Sequence, residues 1–190
     1  MYTIKENISN ETEINKSKFI TFLYKINNVE DIKTYLNQVK NNYKDATHHC
    51  YAYILDANEK MSDDKEPSGT AGSPILNVLK QNKLNRILCI VVRYFGGIKL
   101  GAGGLVRAYS NVVKEALKKA EIKELVKGKK VRIEIDYNDI DKLNYILKDN
   151  KVIYKEYNDK VIYEVLLKNE DIKNIEIFSY QILEDIFIAK

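Results

Sequence analysis

Residues 86–117 read RILCIVVRYFGGIKLGAGGLVRAYSNVVKEAL, and this stretch decides the fold of the first part of the chain. Its opening, residues 86–94, is apolar at the centre and predicts a strand that is covered on both faces of a sheet. Glycines dominate residues 95–104, which we therefore expect to form a loop. Residues 105–120 repeat apolar side chains every three or four positions and predict an amphipathic helix. This order places backbone amides at a helix N-terminus, where anions commonly bind.

The glycine-rich loop lies in a positively charged stretch of the chain. Seven of the eight glycines fall between residues 69 and 104, and no Asp or Glu occurs between Glu66 and Glu115. Glycine lets N–H groups approach a ligand and permits positive φ angles, while unopposed Lys and Arg make the site positive. The residues predicted to bind an anion or RNA are Arg93, Tyr94, Gly96, Gly97, Lys99, Gly101, Gly103, Gly104 and Arg107. The alternative is that these glycines only permit tight turns and close packing.

Known phosphate-binding fingerprints do not describe this loop. Gly101-Ala-Gly103 is followed three residues later by Val106 rather than glycine, which excludes the dinucleotide-binding motif. No Gly-Lys-Ser/Thr occurs, which excludes a P-loop.

The aromatic residues Tyr94, Phe95 and Tyr109 interleave with arginines and could stack on nucleobases, or they could fill the core.

A second loop, SDDKEPSGTAGSP at residues 62–74, is acidic at its start. Its carboxylates could act as a base or hold Mg²⁺, or they could form a solvated acidic turn. His48 and His49 precede it in a predicted strand, where neighbouring side chains point to opposite faces. The weak catalytic candidates are therefore Asp63, Asp64, Glu66, His48 and His49. We expect no metal site, because a zinc site would lack its usual set of ligands.

Charge and composition restrict the function classes. The chain has 190 residues and a net charge of +4, with about +6 on residues 1–128 and about −2 on residues 129–190. An anion-binding face is therefore expected in the first part. No export signal is apparent and the longest apolar run, residues 87–92, is too short to span a bilayer, so we expect a cytoplasmic protein with no membrane association. Cys50 and Cys89 are expected to be reduced core thiols, although the sequence leaves a disulfide open.

The remaining pattern divides the chain into two domains, 1–127 and 128–190. The first adds a strand at 16–26, a helix at 29–43, a strand at 49–55, a loop at 56–72 and a short helix at 73–80. The second reads as strand 131–137, helix 139–150, strands 152–157 and 161–167, helix 169–180 and strand 183–189. That βαββαβ order is the order of a ferredoxin-like unit. The fold class is therefore predicted to be α+β.

Three blocks of sequence, in this order, resemble the YigZ/Impact family: THHCYAYIL, SDDKEPSGTAGSPIL and VVRYFGGIKLGAGGLVRAYSNVV, preceded by KSKFI. The resemblance implies a ribosomal protein S5 domain 2-like N-terminal domain and a ferredoxin-like C-terminal domain, a pair similar to the last two domains of elongation factor G. It also implies a link to translation, because eukaryotic members compete for an activator of an initiation-factor kinase. The motif residues fall on His48, His49, Asp63, Asp64, Glu66, Pro67, Gly69, Thr70, Gly72, Pro74, Arg93, Tyr94, Gly96, Gly97, Leu100, Gly101, Gly103, Gly104 and Arg107.

The function expected from these observations is a translation-linked, non-enzymatic protein that docks on RNA or the ribosome. The glycine-rich loop would meet phosphates, and no cofactor is required. A nucleotide-dependent enzyme acting on a phosphorylated small molecule through the same loop is the first alternative. An adaptor that docks on a protein partner of the translation machinery is the second. The RNA, the protein partner and the oligomeric state are not specified by the sequence.

Overall fold

The computed structural model describes residues 1–190 and divides the chain into two units, Met1–Glu124 and Leu125–Lys190. Each unit contains an antiparallel sheet with helices packed against it, so the predicted α+β class is confirmed. None of the helices is both long and apolar enough to cross a lipid bilayer.

The first unit contains a five-stranded sheet in the order β2-β3-β6-β4-β5, and every neighbouring pair is antiparallel. Its elements are β1 (Tyr2–Ile4), β2 (Ile8–Ile14), β3 (Ser17–Lys25), α1 (Val29–Asn42), β4 (His48–Leu55), β5 (Asn58–Ser62), α2 (Gly72–Gln81), β6 (Ile87–Tyr94) and α3 (Gly101–Lys119). The short strand β1 lies outside this sheet and pairs with residues 122–124.

The central strand β6 is buried on both faces, as predicted. Cys89 and Val91 pack into the core formed with α2 and α3. Leu88 and Ile90 alternate with them and pack into a second core beneath α1. Both thiols are free and buried, which confirms the prediction of reduced cysteines. The strand thereby delivers its last two side chains, Arg93 and Tyr94, to opposite faces of the sheet.

Helix α1 begins and ends close to the predicted bounds. The side chain of Asn28 caps its N-terminus by accepting a hydrogen bond from the N–H of Asp31. Ile32 and Val39 on its apolar face are buried against the sheet. Helix α2 also lies where the Ser73-Pro74 signal predicted it.

Three strands of the first unit were not predicted. Strand β2 (ISNETEI) forms a hairpin with β3 through Asn15 and Lys16, which both adopt positive φ angles. Strand β5 (NEKMS) pairs with β4, so the expected loop at residues 56–72 is shorter than predicted. Strands β2 and β5 lie at the edges of the sheet and β1 is only three residues long. Polar edge strands lack the apolar alternation on which a sequence-based prediction depends.

Helix α3 begins at Gly101, four residues before the predicted start. Gly103 and Gly104 therefore lie in the first turn of the helix rather than in the preceding loop. Glycine is a poor helix former, which is why the sequence predicted loop at this point.

The second unit contains strands in the spatial order β10-β7-β9-β8, all antiparallel. Its elements are β7 (Ile122–Ile135), whose first three residues belong to the first unit, α4 (Ile140–Ile146) after a 3₁₀ turn (Tyr137–Asp139), β8 (Lys151–Tyr157), β9 (Val161–Lys168), a 3₁₀ helix (Asn169–Ile175) and β10 (Ser179–Ala189). The strand predicted at 131–137 begins nine residues earlier, and the helix predicted at 169–180 is a 3₁₀ helix that ends at Ile175. Buried Val131, Ile133 and Tyr163 pack with Leu143 in the core of this unit.

Candidate anion-binding site

The acidic loop and the glycine-rich loop meet at the end of β6. Nη1 of Arg93 donates a 2.6 Å hydrogen bond to Oε1 of Glu66, and Oη of Tyr109 donates to the same oxygen at 2.9 Å. A cavity of about 230 Å³ opens beside this pair. It is lined by Glu66, Pro67, Arg93, Phe95, Lys99, Leu100, Gly101, Ala102 and Leu105. The fold therefore brings the two loops, which are about 30 residues apart in sequence, into one cleft.

Arg93 is not at the protein surface, which corrects the expectation that it adds charge to an exposed loop. The residue is only 4% exposed. Its Nη1 is taken by Glu66, its Nη2 donates to Oγ of Ser17 at 3.3 Å, and its Nε has no hydrogen-bond partner. The guanidinium also lies 5.5 Å from the ring centre of Phe19 and 5.7 Å from that of Phe95. Most of its charge is cancelled inside the protein.

Tyr109 is fully buried, so it cannot stack on a nucleobase as the sequence suggested. Its ring packs edge-on against Phe19, and Sγ of Cys50 lies 3.3 Å from its hydroxyl. Burial raises the pKa of Tyr109 far above its usual value, so its hydroxyl stays protonated and can donate to Glu66. Burial also raises the pKa of Cys50 to about 12, which keeps this thiol neutral. These groups form a buried network that ends at the carboxylate of Glu66.

Asp63 organises the acidic loop through backbone hydrogen bonds. Its carboxylate accepts from the N–H groups of Gly69 at 2.9 Å, Ala71 at 3.0 Å and Gly72 at 2.8 Å. Burial acts to raise the pKa of Asp63, but these three donors lower it below the usual value. The same contacts satisfy N–H groups at the start of α2, where the N-cap residue Ala71 has no side-chain acceptor of its own.

Asp64 and the two histidines tie this loop to β4. The carboxylate of Asp64 accepts from the N–H of His49 at 2.6 Å. Nδ1 of His48 donates to the carbonyl of Asp64 at 2.8 Å, and Nε2 of His49 donates to the carbonyl of Tyr43 at 2.9 Å. No three His, Cys, Asp or Glu side chains converge on a common point that could hold a metal ion. In this geometry the carboxylates and imidazoles are engaged in holding the loop.

The glycines predicted for the glycine-rich loop serve different purposes in the structure. Gly97 and Gly101 adopt φ angles of +84° and +69°, and a Cβ at either position would meet open space. Gly96 instead packs directly against the backbone of Lys16, where no side chain would fit. Gly103 and Gly104 have no positive φ angle, contrary to the expectation for all five glycines. The exposed backbone is therefore concentrated at Gly97 and at the start of α3.

The N-terminus of α3 is uncapped and surrounded by positive charge. No side chain accepts a hydrogen bond from its first N–H groups, and no acidic residue occurs in its first turn. Lys99 and Arg107 are exposed and form no ion pair within the chain. The guanidinium of Arg107 reaches back along the helix to within 3.7 Å of the position that a Cβ on Gly103 would occupy. We name the set Gly97, Lys99, Gly101, Gly103 and Arg107 the α3 cationic surface.

Two aromatic residues at the end of β6 have separate environments. Phe95 is 47% exposed and lines the cavity. Tyr94 lies on the α1 face of the sheet, where its hydroxyl donates to Asp45 at 2.9 Å, away from the α3 cationic surface. Sequence reasoning also missed Ser17, whose Oγ accepts from the N–H of Gly96 at 3.2 Å. Its only signal was its place in the KSKFI segment.

The chain is similar to several known proteins. Residues 15–117 match the Impact N-terminal domain. The chain is 37% identical over 175 residues to the Impact family member YvyE of Bacillus subtilis, covering 90% of this chain and 81% of that protein. It is 36% identical over 162 residues to YigZ of Escherichia coli, covering 82% and 79%. A solved structure of a hypothetical protein, 32% identical, aligns with a TM-score of 0.67 over 96% of this chain and 95% of that one.

Proposed function

The chain belongs to the Impact family, and from that premise we propose that it is a translation-linked, non-enzymatic regulatory protein that binds RNA through the α3 cationic surface. The observation that carries the proposal is the pairing of two exposed, unpaired cations, Lys99 and Arg107, with an uncapped helix N-terminus. Full charges and oriented N–H groups at one place suit a phosphate.

The positive charge in the first unit is not spread evenly. Arg86 pairs with Asp56, and Lys80 pairs with Glu59. These intramolecular pairs reduce the charge available elsewhere on this unit. The α3 cationic surface keeps its charge because no carboxylate lies near enough to pair with it.

The cations of the second unit differ from those of the α3 cationic surface, because they have carboxylate partners within the chain. Glu164 on β9 pairs with Lys130 at 2.8 Å and with Arg132 at 2.6 Å. This one carboxylate therefore offsets part of the charge of the two cations on β7, in a unit whose net charge is negative. A phosphate backbone would gain little by replacing the carboxylate.

We also propose a specific fold type for each of the two domains. Residues 1–127 would form the ribosomal protein S5 domain 2-like domain and residues 128–190 the ferredoxin-like domain. The βαββ-3₁₀-β succession and the strand order β10-β7-β9-β8 support the second assignment.

A salt titration tests RNA binding directly. We would measure the affinity of the full chain for a labelled single-stranded RNA by fluorescence anisotropy between 50 and 200 mM KCl. Each phosphate neutralised should contribute about 0.7 to the slope of log affinity against log salt. A slope of at least this size supports the proposal. Absence of binding at all salt concentrations would overturn it.

The two alternatives have less support. An enzyme that holds Mg²⁺ on the acidic loop would need free carboxylates, but Asp63 and Asp64 accept hydrogen bonds from backbone N–H groups. A protein-docking adaptor would bind its partner without regard to RNA. A pull-down that resists nuclease treatment, together with no RNA binding in the titration, would favour the adaptor.

A further inference from the structure

The cavity at the start of α3 is lined by an apolar wall, a positively charged rim and the buried Arg93–Glu66 ion pair. Phe95, Leu100 and Leu105 supply the apolar wall. Lys99 and the backbone of Gly101 and Ala102 supply the rim, at the uncapped end of the helix. Its volume of about 230 Å³ suits a single ring system with an attached polar group rather than a long segment of chain.

Arg93 adds an independent sign that the cavity receives a ligand. It forms part of the cavity wall and is only 4% exposed. Two of its nitrogens are bound to Glu66 and Ser17, yet Nε lacks an acceptor. Buried donors in native proteins are nearly always paired, so this unpaired one calls for an explanation. An acceptor atom on an occupant of the cavity would be the missing partner.

From these features, and resting on the proposed RNA-binding function, we propose that the cavity takes one unpaired nucleotide. The base would lie against the half-exposed ring of Phe95, with an acceptor atom directed to Arg93. Its phosphate would lie at the N–H groups of Gly101 and Ala102, beside Lys99. A base within a duplex is stacked and paired, so its face is not free to lie against Phe95 in this cavity. The protein should therefore distinguish single-stranded from double-stranded RNA.

The experiment compares a 12-nucleotide RNA with the same strand in a 12-base-pair duplex, at one salt concentration. We expect the single strand to bind at least about tenfold more tightly. Phe95→Ala should weaken single-strand binding by about 5- to 150-fold, the range supplied by stacking one base, and leave duplex binding unchanged. Phe95→Tyr, which keeps the ring, should restore it. Ile98→Ala is the matched control, because Ile98 is 43% exposed in the same loop but does not line the cavity.

The outcomes separate this inference from the function on which it rests. Salt-dependent RNA binding with equal affinity for single strand and duplex, and no effect of Phe95→Ala, would overturn the cavity assignment and leave RNA binding intact. No RNA binding would overturn both. Adenosine monophosphate is added as a competitor in a separate arm. If it binds more tightly than the RNA strand, the cavity belongs to a free nucleotide, and the RNA assignment is wrong.

Discussion

Arg93 and Glu66 form a buried ion pair whose nitrogen–oxygen distance is 2.6 Å and whose side chains are only 5% and 3% exposed. The pair joins Arg93, the penultimate residue of the central strand β6, to the acidic loop. Tyr109 of α3 donates to the same carboxylate, so three elements are connected at one atom. This contact sets the shape of the cavity beside the α3 cationic surface.

Glu66→Gln should destabilise the protein strongly. The substitution keeps the shape of the side chain but leaves the charge of Arg93 buried without a counter-charge. We expect the free energy of unfolding to fall by about 3–5 kcal/mol, as is typical when one partner of a buried pair is removed. Urea denaturation followed by circular dichroism measures the change.

Glu59→Gln is the control for this experiment, because it removes the same charge from an exposed pair with Lys80. Its expected effect is below about 1 kcal/mol. If the two variants lose equal stability, the buried network around Arg93 is not a main support of the fold.

Gly101→Ala and Gly103→Ala should have opposite effects on stability. Gly101 has a φ of +69°, so alanine there is strained and should cost about 1–2 kcal/mol. Gly103 is helical, and its Cβ would make only an ordinary contact of 3.7 Å with Arg107. Alanine there should stabilise by about 0.5–1 kcal/mol. Thermal and urea unfolding of the pair measure both signs, and two equal losses would contradict the assigned start of α3.

Asp63 should make stability depend on pH in the acid range. Its pKa is lowered below the ordinary value of 3.8, so its contribution is complete above that pH and is lost as the pH falls through the folded-state pKa. Asp63→Asn replaces one acceptor oxygen by an amide NH2 that cannot accept from a backbone N–H, and it should cost about 1–3 kcal/mol at pH 7. The difference between wild type and variant should shrink below pH 3.8.

Urea denaturation at several values between pH 2.5 and 7 tests this dependence. Asp159→Asn, on the exposed turn after β8, controls for the loss of one negative charge. A difference that stays constant down to the lowest pH would show that the charge of Asp63 is not what its three N–H donors recognise.

Lys99→Ala and Arg107→Ala should each flatten the salt dependence of RNA binding. Removing one phosphate contact lowers the log–log slope by about 0.7 on a single strand. Lys118→Ala, an exposed cation at the other end of α3, should leave the slope unchanged. Fluorescence anisotropy across a range of salt concentrations provides the three slopes. An equal decrease in all three would indicate diffuse attraction rather than contact at the start of α3.

The helices and strands that could be predicted are those in which the pattern of apolar side chains shows which faces are buried. Strand β6 is apolar throughout its centre and lies at the centre of the sheet, with both faces covered. Helix α1 has apolar residues on one face, and those residues are buried. Strands β2 and β5 were missed because they are polar edges, held by backbone pairing that any sequence can provide.

The candidate site was only partly predictable for a related reason. Lys99 and Arg93 look alike in the sequence, since both are cations near glycines in a stretch without acids. In the fold, Lys99 is exposed, whereas Arg93 meets Glu66 from 27 residues earlier in the chain. Likewise, Tyr109 is buried in the core, whereas Phe95 is half-exposed and lines the cavity.

By itself, the sequence determined the α+β class, the central strand and the succession of strand, glycine-rich loop and helix. These features follow from local periodicity and from the backbone freedom of glycine, which neighbouring residues alone decide. Only the tertiary structure decided which cations face solvent, which carboxylates are already occupied and where the cavity opens. Those properties depend on groups that are distant in the chain and adjacent in space, because a charge is available to a ligand only when no internal partner cancels it.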